Sequence, residues 1–265
     1  MIAEFGLTHE GSLGNACAMV TAAAAAGADA VKFQHHVFGE STNLHAFRVP
    51  APQDLTRNDY WQRTSFSVAQ WESLIEFAHT RQVDIGITPF SLAGFEEIKH
   101  LGWDFFKIGS GEWDRTDLLN AIRSTGLQVY QSLGLSPPSA LGLSPPSTPQ
   151  WISNPEWVLM LCCSDYPASD PRRITIDRRY GLSDHSGKIW PAIKAIAVGS
   201  PAVEVHVCFH RDQFGPDVGS SITFQELSQL VEFERFNKIL GTDPVTDKEK
   251  QAQYAEYARC KQRTL

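Results

Sequence analysis

Eight short apolar runs, separated by helical or irregular stretches, constrain this chain more than any other feature. They fall at Ile2 to Leu7, Ala30 to Gln34, Asp84 to Phe90, Phe105 to Gly109, Gln128 to Leu133, Trp157 to Cys163, Leu182 to His185 and Val203 to Phe209. Their apolar residues are nearly continuous rather than alternating, the pattern of strands buried on both faces of a parallel sheet. Helical patterns lie between them at Asn15 to Ala26, Val68 to Gln82, Gly94 to His100, Thr116 to Ser124, Ile189 to Val198 and Phe224 to Leu240. Alternating strands and helices imply parallel crossovers. Eight such strands in 265 residues predict an α/β fold, a single-domain (β/α)8 TIM barrel, since about 250 residues are typical of one.

The barrel is expected over residues 1–242, followed by a charged, apolar-poor helical tail at 243–265. Two other segments break the alternation. Val37 to Ser65 is long and polar, as active-site lids often are. Leu133 to Thr148 repeats LGLSPPS, and its paired prolines forbid helix, so one crossover helix is expected to be missing or very short.

Composition narrows the function classes. With 42% hydrophobic and 20% charged residues the chain is globular rather than disordered, and a formal charge of -7 with scattered basic residues offers no footprint for nucleic acid. The five cysteines (Cys17, Cys162, Cys163, Cys208, Cys260) have no CxxC spacing, which predicts neither a disulfide framework nor a zinc knuckle. A reducing cytoplasm suits them. No leader-like opening and no apolar run of membrane-spanning length is found, so neither export nor a membrane partner is expected.

Polar residues gather where the apolar runs stop: Glu4 and His9, Lys32 and Gln34, Thr88, Lys107, Ser110 and Glu112, Ser132, Ser164 and Asp165, Ser183, Asp184 and His185, Glu204 and His206. In a barrel these positions share the C-terminal mouth, where such enzymes keep their sites. Any single one is equally explained as a partner for loop backbone groups. The whole set points to an enzyme.

The runs IAEFGLTHEGSL, GADAVKFQ, ITPFSL, FFKIGSGEWDRTDLL, LCCSDYP, YGLSDHSG and VEVHVCFHRDQFGPDVGSSI resemble, in order and spacing, the motifs of the sialic acid synthase (N-acetylneuraminate synthase) family, from Ile2 to about Leu240. The resemblance implies a synthase that condenses phosphoenolpyruvate with an N-acetylated aldose or related aldehyde to a 2-keto sugar acid and phosphate. A divalent metal, Mn2+ or Mg2+, assists. It implies His185 and His206 as metal ligands, and Lys32, Gln34, Thr88, Lys107, Ser110, Ser132, Ser164, Ser183 and Asp217 as substrate-binding residues. Glu4, Glu112 and Lys107 are implied as catalytic, Glu4 on the sugar and Glu112 moving a proton. Two neutral imidazoles suit a Lewis-acid site, and the lysines suit an anion that is costly to desolvate unpaired. A homodimer and a C-terminal antifreeze-like domain also belong to the family pattern, and the 243–265 segment resembles the linker before that domain.

Several positions depart from that pattern: Thr8-His9-Glu10-Gly11, with an acid expected near the sugar; Ser164 for an asparagine; Arg115; His210 beside Arg211; and Gly215-Pro216-Asp217-Val218. Arg48, in the polar segment, is a candidate sugar-contacting arginine. Two alternatives stay open: a metal-dependent barrel aldolase or lyase, and a catalytically silent barrel partnering an active homologue.

Overall fold

The computed structural model describes residues 1–37, 53, 54, 56–134 and 157–240. Eight parallel strands close on themselves: β1 (Ile2–Glu4), β2 (Ala30–His35), β3 (Asp84–Pro89), β4 (Phe105–Ile108), β5 (Gln128–Ser132), β6 (Trp157–Cys162), β7 (Gly181–Asp184) and β8 (Val203–Cys208), with β8 pairing back onto β1. A two-residue strand β9 (Ile222–Thr223) extends β8. The expected strands are all present, with ends displaced by one to three residues. The displacement at β1 has a local cause: the Glu4 carboxylate accepts the Gly6 N–H at 2.9 Å and turns the chain away.

The helices are α1 (Leu13–Ala26), α2 (Arg57–Thr64), α3 (Val68–Thr80), α4 (Leu92–Ile98), α5 (Thr116–Arg123), α6 (Trp190–Val198) and α7 (Phe224–Leu240). Side-chain caps start most of them. Ser12 Oγ accepts the Asn15 N–H ahead of α1, and Ser67 with Gln70 forms a capping box ahead of α3. At its far end α1 stops on Gly27, whose left-handed backbone only glycine adopts cheaply.

The strand period of two decides what each side chain meets. Phe5, Val31, Phe33, Ile85, Ile87, Val205 and Val207 point outward into the main core, against Met19, Val20, Trp71 and Leu74 of α1 and α3. Ile2, Ala30 and Phe105 with Tyr130 form a second, separate apolar cluster. Gly86 is required for that arrangement, because a Cβ there would lie 2.2 Å from the Phe105 ring. In register, Glu4 stands beside Lys32 on one side and His206 on the other.

One expectation is corrected: the polar segment after β2 holds regular structure. α2 forms there because Thr56 and Asp59 make a reciprocal capping box, and Tyr60, Trp61 and Thr64 are buried. Its eight residues carry too short an apolar pattern to be seen against their polar neighbours. The remainder of that segment with Arg48, the proline repeat beyond Gly134, Cys260 and the 243–265 tail lie outside the described residues. No helix among the described residues is long and apolar enough to cross a membrane.

Candidate active site

The strand ends bring two buried ion pairs together. Lys32 Nζ pairs with Glu4 Oε2 and donates to Thr88 Oγ1 at 2.7 Å, and Lys107 Nζ pairs with Glu204 Oε1 and donates to Ser183 Oγ at 2.9 Å. Ser183 in turn donates to Glu204 at 2.9 Å. An ammonium has three N–H groups, so these contacts leave each lysine one for a ligand. Burial, then the nearby Lys32 charge, pulls the Lys107 ammonium below its usual value against Glu204. Burial pushes Glu204 up, but Lys107 and Lys32 outweigh it and hold the carboxylate ionised.

Glu4 is fully engaged. Its Oε1 accepts from Gly6 N–H and from Gln34 Nε2 at 3.0 Å, while Oε2 faces Lys32. It therefore orients the lysine and the glutamine around it. Glu112 differs: it ends a 3-10 turn after β4, its Oε2 is buried without a partner beside Gly109, and burial pushes its carboxyl up to about 7. A carboxyl titrating near neutrality is suited to moving protons.

Hydroxyls line the β4 to β6 side. Ser110 and Ser164 lie 3.1 Å apart across it, Ser132 Oγ is buried with no partner, and Cys162 Sγ sits 4.0 Å from Ser164. Across the mouth, Asp217 lies beside Gly6 and Gln34, and its carboxyl is pushed up to about 6 by burial and by Glu4.

His185 and His206 meet with ring centroids 5.3 Å apart. The Cys163 carbonyl accepts from His185 Nδ1 at 2.7 Å, which fixes the proton there and leaves the Nε2 lone pair facing the Tyr166 hydroxyl at 2.9 Å. His206 Nδ1 is buried without a partner. Burial keeps both rings neutral, at about 3, and the two lower each other or are lowered by the nearby lysines. Two neutral imidazoles, one with its tautomer set and one with an orphaned nitrogen, fit a divalent cation. Among the described residues no third His, Cys, Asp or Glu completes a ligand set, so the remaining positions would belong to water or substrate.

Other strand-end residues do not reach the mouth. His9 is buried behind the sheet, stacked on Phe66 at 4.6 Å with Nδ1 accepting the Gly11 N–H. Asp184 holds the Ser186 turn, and Asp165 pairs with Arg173. Glu10, expected near the sugar, is instead held by the Tyr60 hydroxyl at 2.7 Å and by Arg63, which also clamps Asp54. Arg115 pairs with Asp117, His210 with Asp212 on the surface, and Arg211 with Glu226. Tyr166 and the His36–Trp61 stack, with centroids 4.5 Å apart, escaped sequence reasoning. The only signal for them was an aromatic within the LCCSDYP motif and the His35-His36 doublet at the end of β2.

A model of the NeuB family matches residues 19–243. The chain is 27% identical over 261 residues to the N,N'-diacetyllegionaminic acid synthase of Campylobacter jejuni, covering 91% of this chain and 77% of that protein. It is 26% identical to the N-acetylneuraminate-9-phosphate synthase of Homo sapiens, covering 91% and 71%. Among solved structures, an N-acetylneuraminic acid (sialic acid) synthetase from Leptospira borgpetersenii in complex with citrate superposes with a TM-score of 0.75 at 25% identity, covering 97% of this chain and 90% of that one. A truncated 3-deoxy-D-arabino-heptulosonate 7-phosphate synthase from Thermotoga maritima shares the fold, with a TM-score of 0.60 at 15% identity.

Proposed function

Because this chain belongs to the NeuB family, we propose that it condenses phosphoenolpyruvate with an N-acetylated aldose or related aldehyde, giving a 2-keto sugar acid and inorganic phosphate. The observation that carries this reading is one barrel mouth with a wall of hydroxyl and ammonium donors, a pair of neutral imidazoles and a carboxyl near neutrality. The donor anion is held by Ser110, Ser132, Ser164 and Ser183 and by the remaining N–H groups of Lys107 and Lys32, since a desolvated phosphate and carboxylate need several charge-assisted bonds.

His185 and His206 would hold a divalent cation, Mn2+ or Mg2+, and such an ion, when bound, polarises the aldehyde oxygen. C3 of the enol phosphate forms a bond to the aldehyde carbon, water adds at C2, and phosphate leaves by C–O cleavage. Glu112, through its unpartnered Oε2, takes the proton of that water. Glu4 keeps Lys32 and Gln34 aligned through the sequence of steps. No covalent enzyme intermediate is required.

We extend the reading to a cytoplasmic homodimer. Free thiols at Cys17, Cys162, Cys163 and Cys208 support the reducing compartment. Sedimentation of the purified protein tests the dimer.

The function is tested by incubating the protein with phosphoenolpyruvate, Mn2+ and a panel of N-acetylated and plain aldoses, following phosphate release and 2-keto acid formation. Phosphoenolpyruvate that binds but is consumed with no aldehyde refutes the synthase. For the cation, His206→Ala should remove Mn2+ binding measured by electron paramagnetic resonance, together with metal-dependent turnover, and leave the melting temperature nearly unchanged. Mn2+ affinity equal to that of the parent would overturn the ligand assignment.

A further inference from the structure

Helix α2 is fastened over the β1 and β2 side of the mouth by contacts that leave it little freedom. Tyr60 donates to Glu10 at 2.7 Å and to the Leu7 carbonyl at 3.3 Å, and Arg63 bridges Glu10 and the buried Asp54. Further along the helix, the Trp61 indole stacks on His36 at 4.5 Å with planes 7° apart, and His36 stacks on Phe90 at 4.1 Å. His36 Nε2 is 3.2 Å from Gln34 Oε1, and the other end of that amide donates to Glu4. The helix is thus wired into the polar interior of the barrel through one continuous set of contacts.

That attachment fixes Arg57, in the first turn of α2, with its guanidinium 5.6 Å from the centroid of the Trp61 ring it overlies. Arg57 is partly exposed, and its charge is felt by both His36 and Asp217. Asp217 lies beside Gln34, on the side of the mouth away from the Ser110–Ser164 wall that suits the donor anion. With carboxylates at Glu4 and Asp217, this side repels a multiply charged donor. Its other cations are committed, Lys32 to Glu4 and Arg63 to Glu10 and Asp54. A guanidinium fork beside a carboxyl suits a ligand rich in neutral oxygens, since the fork donates to an acyl carbonyl or hydroxyl and the carboxyl accepts hydroxyl protons.

We propose that Arg57 is a specificity-determining contact to the acceptor, and that the acceptor it selects is an uncharged, acylated or hydroxylated aldose, gripped between Arg57 and Asp217. The proposal rests on the synthase reading. Arg57 contributes to acceptor binding and leaves donor binding alone, because the donor wall is built on β4 to β7. α2 and its latch supply this contact from within the chain itself.

The test uses Arg57→Ala and Arg57→Lys in the full chain. Steady-state kinetics are measured with N-acetylmannosamine, mannose and N-acetylmannosamine 6-phosphate, and calorimetry is run with phosphoenolpyruvate alone. The expected result is a rise of at least tenfold in KM for the preferred neutral aldose in Arg57→Ala, which is about 1.4 kcal/mol, with less than half recovered in Arg57→Lys. Phosphoenolpyruvate Kd stays within twofold of the parent, and the phosphorylated sugar is turned over at least tenfold less efficiently than its neutral form. An acceptor KM within twofold of the parent, or donor and acceptor constants rising together, overturns the assignment of Arg57. A parent enzyme that prefers the 6-phosphate overturns the uncharged class. A parent that binds phosphoenolpyruvate but consumes it with no aldose refutes the synthase reading itself, and this proposal with it.

Discussion

Removing Glu204 tests whether the ion pairs at the strand ends form one electrostatic unit. Glu204→Gln keeps the shape and one acceptor for Ser183 but leaves the Lys107 ammonium, 4% exposed, without its counter-charge and still under repulsion from Lys32. Breaking a buried pair from one side costs about 3–5 kcal/mol, much of it the desolvation of the abandoned charge. Lys107→Met is milder, at about 2–3 kcal/mol, because Lys32 still attracts the Glu204 carboxylate, which can also take up a proton. In the double variant neither charge is stranded. It should be no less stable than Glu204→Gln alone, which requires a coupling of about 2–3 kcal/mol. Urea unfolding followed by tryptophan fluorescence, in protein stripped of metal by a chelator, measures this directly. With a slope of roughly 3 kcal/mol per molar urea, a loss of about 4 kcal/mol moves the midpoint by about 1.3 M. Effects that add to within about 0.5 kcal/mol would show that the two side chains do not interact, and the reasoning would fail.

The raised carboxyl of Glu112, at about 7 in the folded state against a model value of 4.5, binds its proton more tightly when folded. Its stabilising contribution is therefore fully present below about 4.5 and lost as pH rises through about 7, amounting to about 1–2 kcal/mol after allowing for partial exposure; Glu112→Gln should flatten the change in urea midpoint between pH 5 and 8, and an unchanged slope would count against it. Arg63→Ala strands the buried Asp54 and frees Glu10, so hydrogen exchange at the Tyr60 to Thr64 amides should accelerate at least tenfold while the strands stay protected. Equal exchange in both proteins would mean that the latch does not hold α2. Gly6→Ala puts a Cβ 2.4 Å from Asp217 Oδ2 at a φ of +53°, so a loss of about 1–3 kcal/mol is expected with a raised acceptor KM. A melting temperature and KM like the parent's would show that Asp217 moves aside freely.

The sequence determined the barrel. Nearly continuous apolar runs at eight places, joined by helical patterns, leave a closed parallel sheet as the architecture that buries both faces of each strand, and the structure has those strands in that order. It also placed Lys32, Lys107, His185 and His206 at strand ends, because a polar residue interrupting an apolar run stands out from its neighbours. Partnership was decided only in three dimensions. Glu204 sits 97 residues from Lys107 and Glu10 sits 53 from Arg63, separations over which no local period carries information. The fold also separated His9, turned behind the sheet against Phe66, from Glu4, turned inward beside Lys32, although both had looked alike as polar residues ending one strand. α2 was invisible for a related reason: its eight residues are mostly polar, and their stability comes from Leu7, Glu10 and His36, which belong to other elements. A chain writes its strands in local patterns that burial demands, whereas the charges and stacks of its mouth depend on contacts that exist only once the barrel has closed.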